Sequence, residues 1–456
     1  MKKGFILFFL LVFCASAQET GEDSSVVKIE HKSLLLTVVS WPFVHIVQPT
    51  VEFLMYPMIP PLIYISRENL IEKGHSLITY GENKQIMFYP IINAKLGSSA
   101  NIGFAYWHSE LFLNNDNLFF SPHLYVNADW DATLRYRKKG IYNNSLYWGL
   151  NTSYRADGDN SFKDIKGTIY SFTDSSAFLN AFAGFNFVEN WALEFGTSLN
   201  FYRFGFPHLN DIIIEGRQVS DRGFYRNFES YPLTLSLSHN SLDEPYAATR
   251  GRKFSLSYTY APVSRYNGTG DHNYHVVESR ITNYSLLGGR SYAMTIAESN
   301  ANREKLKNLT FSEAIEMLNP INIKEEVLDR RVLITQVKAR YMIEENEGKA
   351  PFIAMGRLGG NFPLRAYDGG YFTAPLVMGI SAEYRWPIDQ FADALIFNDY
   401  GIYGEDFRRL SVSNIKNSYG FGFRIRTPKL FITRFALAFH GLQGIALILT
   451  TAPEYE

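Results

Sequence analysis

The sequence predicts an all-β transmembrane fold, a barrel of about sixteen antiparallel strands. Three observations carry that expectation. Segment after segment alternates apolar and polar residues with a period of two, as a wall between lipid and a polar interior requires. An export-type leader opens the chain. Aromatics are abundant, with Tyr 29 and Phe 36, while mean hydropathy is only −0.13. That value is too polar for a helical membrane protein, but a barrel wall averages lipid-facing with lumen-facing positions.

Residues 1–17 read as a signal peptide: Lys2 and Lys3, the apolar run Phe5 to Phe13, then Ala15-Ser16-Ala17 for cleavage. The apolar run is too short to span a bilayer as a mature helix. Cys14 raises the alternative of a lipid anchor, but Phe13 stands where that signal wants a small residue. Cleavage after Ala17 removes the only cysteine, which excludes disulfides, thiol catalysis and a cysteine metal site. A formal net charge of −1 argues against a nucleic-acid partner. The expected location is the bacterial outer membrane.

Residues 18–84 are expected to form a periplasmic N-terminal segment. Its first part, 18–32, is polar and acidic. Leu34 to Ile65 is apolar but interrupted by Pro42, Pro49, Pro57, Pro60 and Pro61, with His45, Gln48 and Glu52 inside it. Each interior proline removes a donor and kinks a helix, so the region predicts one or two short amphipathic helices at the periplasmic mouth. A bilayer anchor is the competing reading.

From Gln85 the period is two, and residues 85–452 are assigned to the barrel. Trp191, Leu193, Phe195, Thr197, Leu199 and Phe201 share one face, and Ala192, Glu194, Gly196, Ser198 and Asn200 the other. Leu233, Leu235 and Leu237 alternate with Thr234, Ser236 and Ser238, and Phe254 to Tyr260 and Gly420 to Arg426 behave alike. A soluble sandwich also alternates, so the number and length of the segments discriminate. Strands are predicted at 86–94, 100–108, 118–128, 130–138, 145–155, 177–188, 190–203 and 230–240. The second half follows at 251–261, 274–286, 331–342, 375–386, 393–403, 417–427, 430–440 and 444–451. Separators include Asn114-Asn115-Asp116-Asn117, Ala156-Asp157-Gly158-Asp159-Asn160 and Asn267-Gly268-Thr269-Gly270. Residues 287–330, with a helix-like stretch from Phe311 to Arg330, are read as an insertion, because counting them as wall breaks the alternation of long and short loops.

The stretch 350–403 carries the most functional information. It holds Leu358-Gly359-Gly360, Leu364-Arg365-Ala366-Tyr367, Glu383-Tyr384-Arg385-Trp386-Pro387 and Phe397-Asn398-Asp399-Tyr400-Gly401. One arginine in a glycine-rich loop thus precedes carboxylates on two successive strands. If both carboxylates face the lumen, a loop folded inward brings Arg365 against them, and a guanidinium fork pairs bidentately with carboxylate. Three unrelated solvated charges are the alternative from spacing alone.

The order of these pieces resembles the BamA/TamA superfamily of outer-membrane barrels, the bacterial surface antigen family. The resemblance implies that residues 343–374 form a lid loop entering the lumen, with Gly359, Gly360, Leu364, Arg365, Ala366 and Tyr367 as its motif and Glu383 and Asp399 as its partners on the wall. Ala366 departs from the family's glycine. A second match is Asp243, Pro245, Thr249, Arg250 and Gly251, similar to the family's periplasmic turn between strands eight and nine; Asn240, Leu242 and Ala248 depart from it. A third is terminal: Gln443, Gly444, Leu447 and Leu449 fit the signal by which barrel substrates are recognised, an extended peptide adding to an exposed edge. The family's inserting and secreting members carry POTRA domains, and 18–84 is too short and proline-rich to be read as one. The resemblance therefore implies a short member without a POTRA array.

No histidine falls in a His-x-x-Glu-His or His-x-x-x-His spacing, and no metal or other cofactor is expected. Ser238-His239 reads as a polar lining pair. Gly356-Arg357-Leu358-Gly359-Gly360 lacks the lysine and helix of a phosphate loop. No serine, histidine and orienting group can be nominated together, so no catalytic residues are assigned and a non-enzymatic protein is expected. The resemblance implies assistance in assembly, insertion or translocation of proteins or lipids. The implied partners are outer-membrane lipids, the barrel assembly machinery, an unfolded barrel or lipid substrate, and a periplasmic protein. The alternative is a passive pore or structural barrel.

Overall fold

A computed structural model describes residues 50, 76–81, 85–95, 100–126, 129–141, 145–163, 169–205, 213–214, 217–218, 227–244, 248–262, 264–266, 273–287, 331–345, 352–360, 363–389, 392–411, 414–426, 431–441 and 444–450. The expected signal peptide, nearly all of the proline-broken segment, residues 288–330 of the expected insertion at 287–330, the expected separator Asn267 to Gly270, and Pro245 and Gln443 lie outside the described residues.

The chain forms a closed barrel of sixteen antiparallel strands. The first half comprises β1 (Ile86–Lys95), β2 (Asn101–Ser109), β3 (Asp116–Tyr125), β4 (Trp130–Ile141), β5 (Leu146–Lys163), β6 (Ile169–Val188), β7 (Trp191–Gly205) and β8 (Leu233–Asn240). The second comprises β9 (Gly251–Ala261), β10 (Tyr274–Leu286), β11 (Val332–Glu344), β12 (Leu376–Asp389), β13 (Ala392–Gly404), β14 (Lys416–Arg426), β15 (Phe431–Phe439) and β16 (Ile445–Thr450). Each strand pairs with its sequence neighbours, and β16 returns to β1, so closure removes the sheet edges that hydrocarbon cannot satisfy. No helix among the described residues is long and apolar enough to cross a membrane.

Burial runs opposite to that of a water-soluble protein. On β7 the apolar Leu193, Phe195 and Phe201 are 42%, 55% and 43% exposed, whereas Ser198 and Asn200 are 8% and 7% exposed. The register carries this alternation around the wall: Leu235 stands between Phe195 and Tyr258, and Ser236 between Glu194 and Ser257. The outward band is apolar and the inward one polar, as lipid outside and a solvated lumen inside demand. Inside, polar groups pair with one another; Asn200 Nδ2, for example, donates to Ser230 Oγ at 3.2 Å.

One expected separator is corrected. Ala156 to Asn160 is part of β5, which continues to Lys163 opposite β6, with a register irregularity between Arg155 and Gly158. The turn-forming composition is real, but a hairpin extending past the lipid band needs no outward apolar face, and a bulge absorbs the glycine. Asn114 and Asn115 do turn the chain, Asn115 at φ 62°, and Asp116 then opens β3. Its carboxylate accepts the amides of Leu111, Phe112 and Leu113 at 2.8–3.0 Å.

The turn between β8 and β9 is built on Asp243. Its carboxylate accepts the Thr249 amide at 2.9 Å, the Thr249 hydroxyl at 2.6 Å and the Arg250 amide at 3.2 Å. Gly251 follows at φ 108°, where a side chain would also run into the Ser241 carbonyl. Asp243, Thr249, Arg250 and Gly251 thus act as one unit, whereas sequence spacing alone marks only a turn.

Candidate functional site

The chain between β11 and β12 enters the barrel. A short 3-10 turn, Phe352–Ala354, leads to a hairpin of Gly356–Leu358 with Phe372–Ala374. At its base, Arg340 on β11 donates to the Ala354 carbonyl at 3.1 Å and pairs with Glu278 on β10 at 2.6 Å. The loop then reverses through Gly359 and Gly360, at φ 104° and 98°. Its turns are closed by Gly359 N–H to Pro363 O at 3.0 Å and Gly360 N–H to Tyr367 O at 2.9 Å. Leu364, not Ala366, takes the left-handed backbone at φ 71°, so alanine at 366 meets no strain there.

Small residues on the wall make room for this loop. A Cβ added at Gly379 would collide with the Pro363 ring, and one at Gly401 would lie 2.8 Å from Leu364 Cδ1. Leu364 is buried with Leu358, Phe372, Val377 and Tyr403. Ala366 joins Leu395, Phe397, Ala436, Ala438, Ala446 and Ile448, which carries the loop's contacts round to the closing strand β16. Tyr367 stacks on His440, with centroids 4.4 Å apart and rings inclined by 20°.

Arg365 is 2% exposed and reaches two carboxylates. Its Nη2 and Nε donate to Asp399 at 2.9 and 3.0 Å, its own amide donates to Asp399 Oδ2 at 3.1 Å, and its Nη1 pairs with Glu383. The guanidinium carbon lies 3.8 Å from the centre of the Phe397 ring, and Nη2 also donates to Ser381 Oγ at 2.8 Å. Asp399 accepts two further hydroxyls, Ser381 at 2.7 Å and Ser418 at 3.2 Å. Glu383 is shared with Arg385 at 2.5 Å and Arg434 at 3.0 Å. Both carboxylates are 1% exposed or less, so every charge here depends on its partners.

The structure therefore brings together Arg365, Glu383 and Asp399 and buries them as one network. Ser381, Ser418, Arg385 and Arg434 belong to it but were not nominated from sequence. The first two are the cross-strand neighbours of Asp399, in the pairs Ser381↔Asp399 and Asp399↔Ser418. Period-two reading gives the inward face of each strand, but naming these neighbours requires the register as well. Of the terminal signal, Leu447 and Leu449 lie on β16 and Gly444 just before it; β16 pairs with β15 through six residue pairs.

No protein-family model matches the chain, and no curated protein matches it. Among solved structures, the crystal structure of BamA from Haemophilus ducreyi lacking POTRA domains 1-3 matches with a TM-score of 0.54 at 15% identity, covering 81% of this chain and 70% of that one. CdiB from Escherichia coli matches with a TM-score of 0.50 at 11% identity, covering 80% of this chain and 62% of that one. The chain thus spans less than two thirds of CdiB. At these identities the likeness is one of fold: the chain shares the barrel architecture of BamA and CdiB.

Proposed function

We propose that this chain is a short assembly-type barrel of the bacterial outer membrane, assisting the insertion or transfer of proteins or lipids. The observation that supports this most is the seam. Among the described residues β1 and β16 pair at Asn93↔Thr450, Ala94↔Leu449 and Lys95↔Ile448. Each net backbone hydrogen bond contributes about 0.5–1.5 kcal/mol, and the ladder that closes the wall does not run the whole length of β1. The near end of the β1 edge that faces β16 is occupied by Thr79 and Tyr80, which pair with Met87 and Ile86. Opening there admits an incoming strand or a lipid between lumen and bilayer, with a periplasmic protein as the natural supplier.

A passive pore is the competing reading. The network around Arg365 fills the lumen beside β12 to β16, which favours small, flickering conductance over a large steady one. Locking the seam tests the proposal directly. Cysteines at 94 and 449, oxidised in cells, are expected to alter outer-membrane protein or lipid content as depletion does, with reductant restoring it. A locked barrel that leaves both unchanged contradicts seam opening.

A further inference from the structure

Strand β3 reads Phe120-Ser121-Pro122-His123-Leu124-Tyr125, and its period of two turns Phe120, Pro122 and Leu124 outward and Ser121, His123 and Tyr125 into the lumen. Leu124 is 54% exposed on the outer face, which fixes the sense. The register with β4 sets Ser121 opposite Thr133 and His123 opposite Asp131. On the other flank His123 faces Gly103, where a Cβ would come within 2.7 Å of the imidazole Cδ2, so glycine gives the ring its room.

The result is a relay of three side chains. Asp131 Oδ1 lies 2.7 Å from His123 Nδ1, and Ser121 Oγ lies 3.2 Å from His123 Nε2. A carboxylate at Nδ1 selects the tautomer that carries its proton there, leaving the Nε2 lone pair for the serine hydroxyl. Asp131 is steadied by Tyr125, whose hydroxyl donates to its second oxygen at 2.5 Å. Ser121 Oγ also lies 3.1 Å from the Phe104 carbonyl, so its proton has two acceptors and rotation of the hydroxyl selects between them. One ladder step from Ser121, the pair Phe119↔Arg135 places an exposed guanidinium on the same lumen face, 5.5 Å from the Phe119 ring.

We propose that Ser121 is an activated nucleophile that takes the acyl group of a carboxylic ester admitted to the lumen. Its oxygen bonds to the ester carbonyl carbon as its proton passes to His123 Nε2. Arg135, one rung along on the same lumen face, adds positive potential that favours the negative charge developing on the carbonyl oxygen. The ester C–O bond then breaks, and Nε2 returns the proton to the departing alcohol. Water repeats the sequence on the acyl-serine, releasing the carboxylic acid and restoring Ser121. Asp131 is a positioning residue. Ser121 is 2% exposed, so an ester reaches its hydroxyl only as the side chains covering it move aside, while the side chains of His123 and Asp131 are 18% and 22% exposed. The inference is independent of seam opening.

The test uses p-nitrophenyl acetate with the folded full-length protein in detergent, following p-nitrophenolate release and locating the acetyl group by peptide mass. The expected result is acetylation of Ser121 and release on the order of 100-fold faster than in Ser121→Ala or His123→Gln. Retained heat-modifiable migration on gels shows that each variant is folded. Asp131→Asn, which leaves the hydroxyl and imidazole in place, is expected to slow acetylation of the same serine without abolishing it. Release that matches the Ser121→Ala rate, or acetylation of Ser121 that persists in folded His123→Gln, overturns the proposal.

Discussion

Replacing Arg365 with alanine is expected to destabilise the barrel by about 3–5 kcal/mol, the cost of breaking a buried pair from one side. Glu383 keeps Arg385 and Arg434, but Asp399 loses its only cation and is left with the amide of residue 365 and the hydroxyls of Ser381 and Ser418. Asp399 is fully buried, and among the described residues no second cation lies within ion-pairing distance of it. The loss should appear as a lower urea midpoint and as loss of the folded band at lower temperature on unheated-type gels. Asp399→Asn in the same background should recover part of the loss, because residues in one network are not additive. An unchanged midpoint in Arg365→Ala would show that the loop is not held by this pair.

The second large effect concerns the outer face. Leu235→Arg places a charge where lipid is expected and should cost about 2–4 kcal/mol near the bilayer midplane. Ser236→Arg, one residue on, points into the lumen beside Glu194 and should cost far less. Urea unfolding of the two variants in vesicles measures the difference. Equal penalties at neighbouring positions would contradict an inside-out wall.

Much of the fold was legible because a wall between lipid and water constrains every residue of every strand. Trp191 to Phe201 shows both faces without ambiguity, and each of the sixteen segments read from the sequence contains a wall strand. The exception, Ala156 to Asn160, lies where β5 and β6 form an extended hairpin and the outer face need no longer be apolar. Arg365, Glu383 and Asp399 were legible because loop arginine and strand carboxylates follow one another in a short span. Arg434 was not: it stands 51 residues from Glu383, and only the closed curvature of the wall brings them together. The same holds for Asp131, which meets His123 through the register of β3 with β4 rather than through spacing along one strand.

The central claim is that this wall is a single layer of strands with lipid on one side and an accessible lumen on the other. Single cysteines at positions 233 to 238, in protein reconstituted into vesicles, test it by their reaction with a water-soluble maleimide. The account predicts reaction at 234, 236 and 238 and protection at 233, 235 and 237. Uniform reaction, or protection recurring every three to four residues, would contradict it.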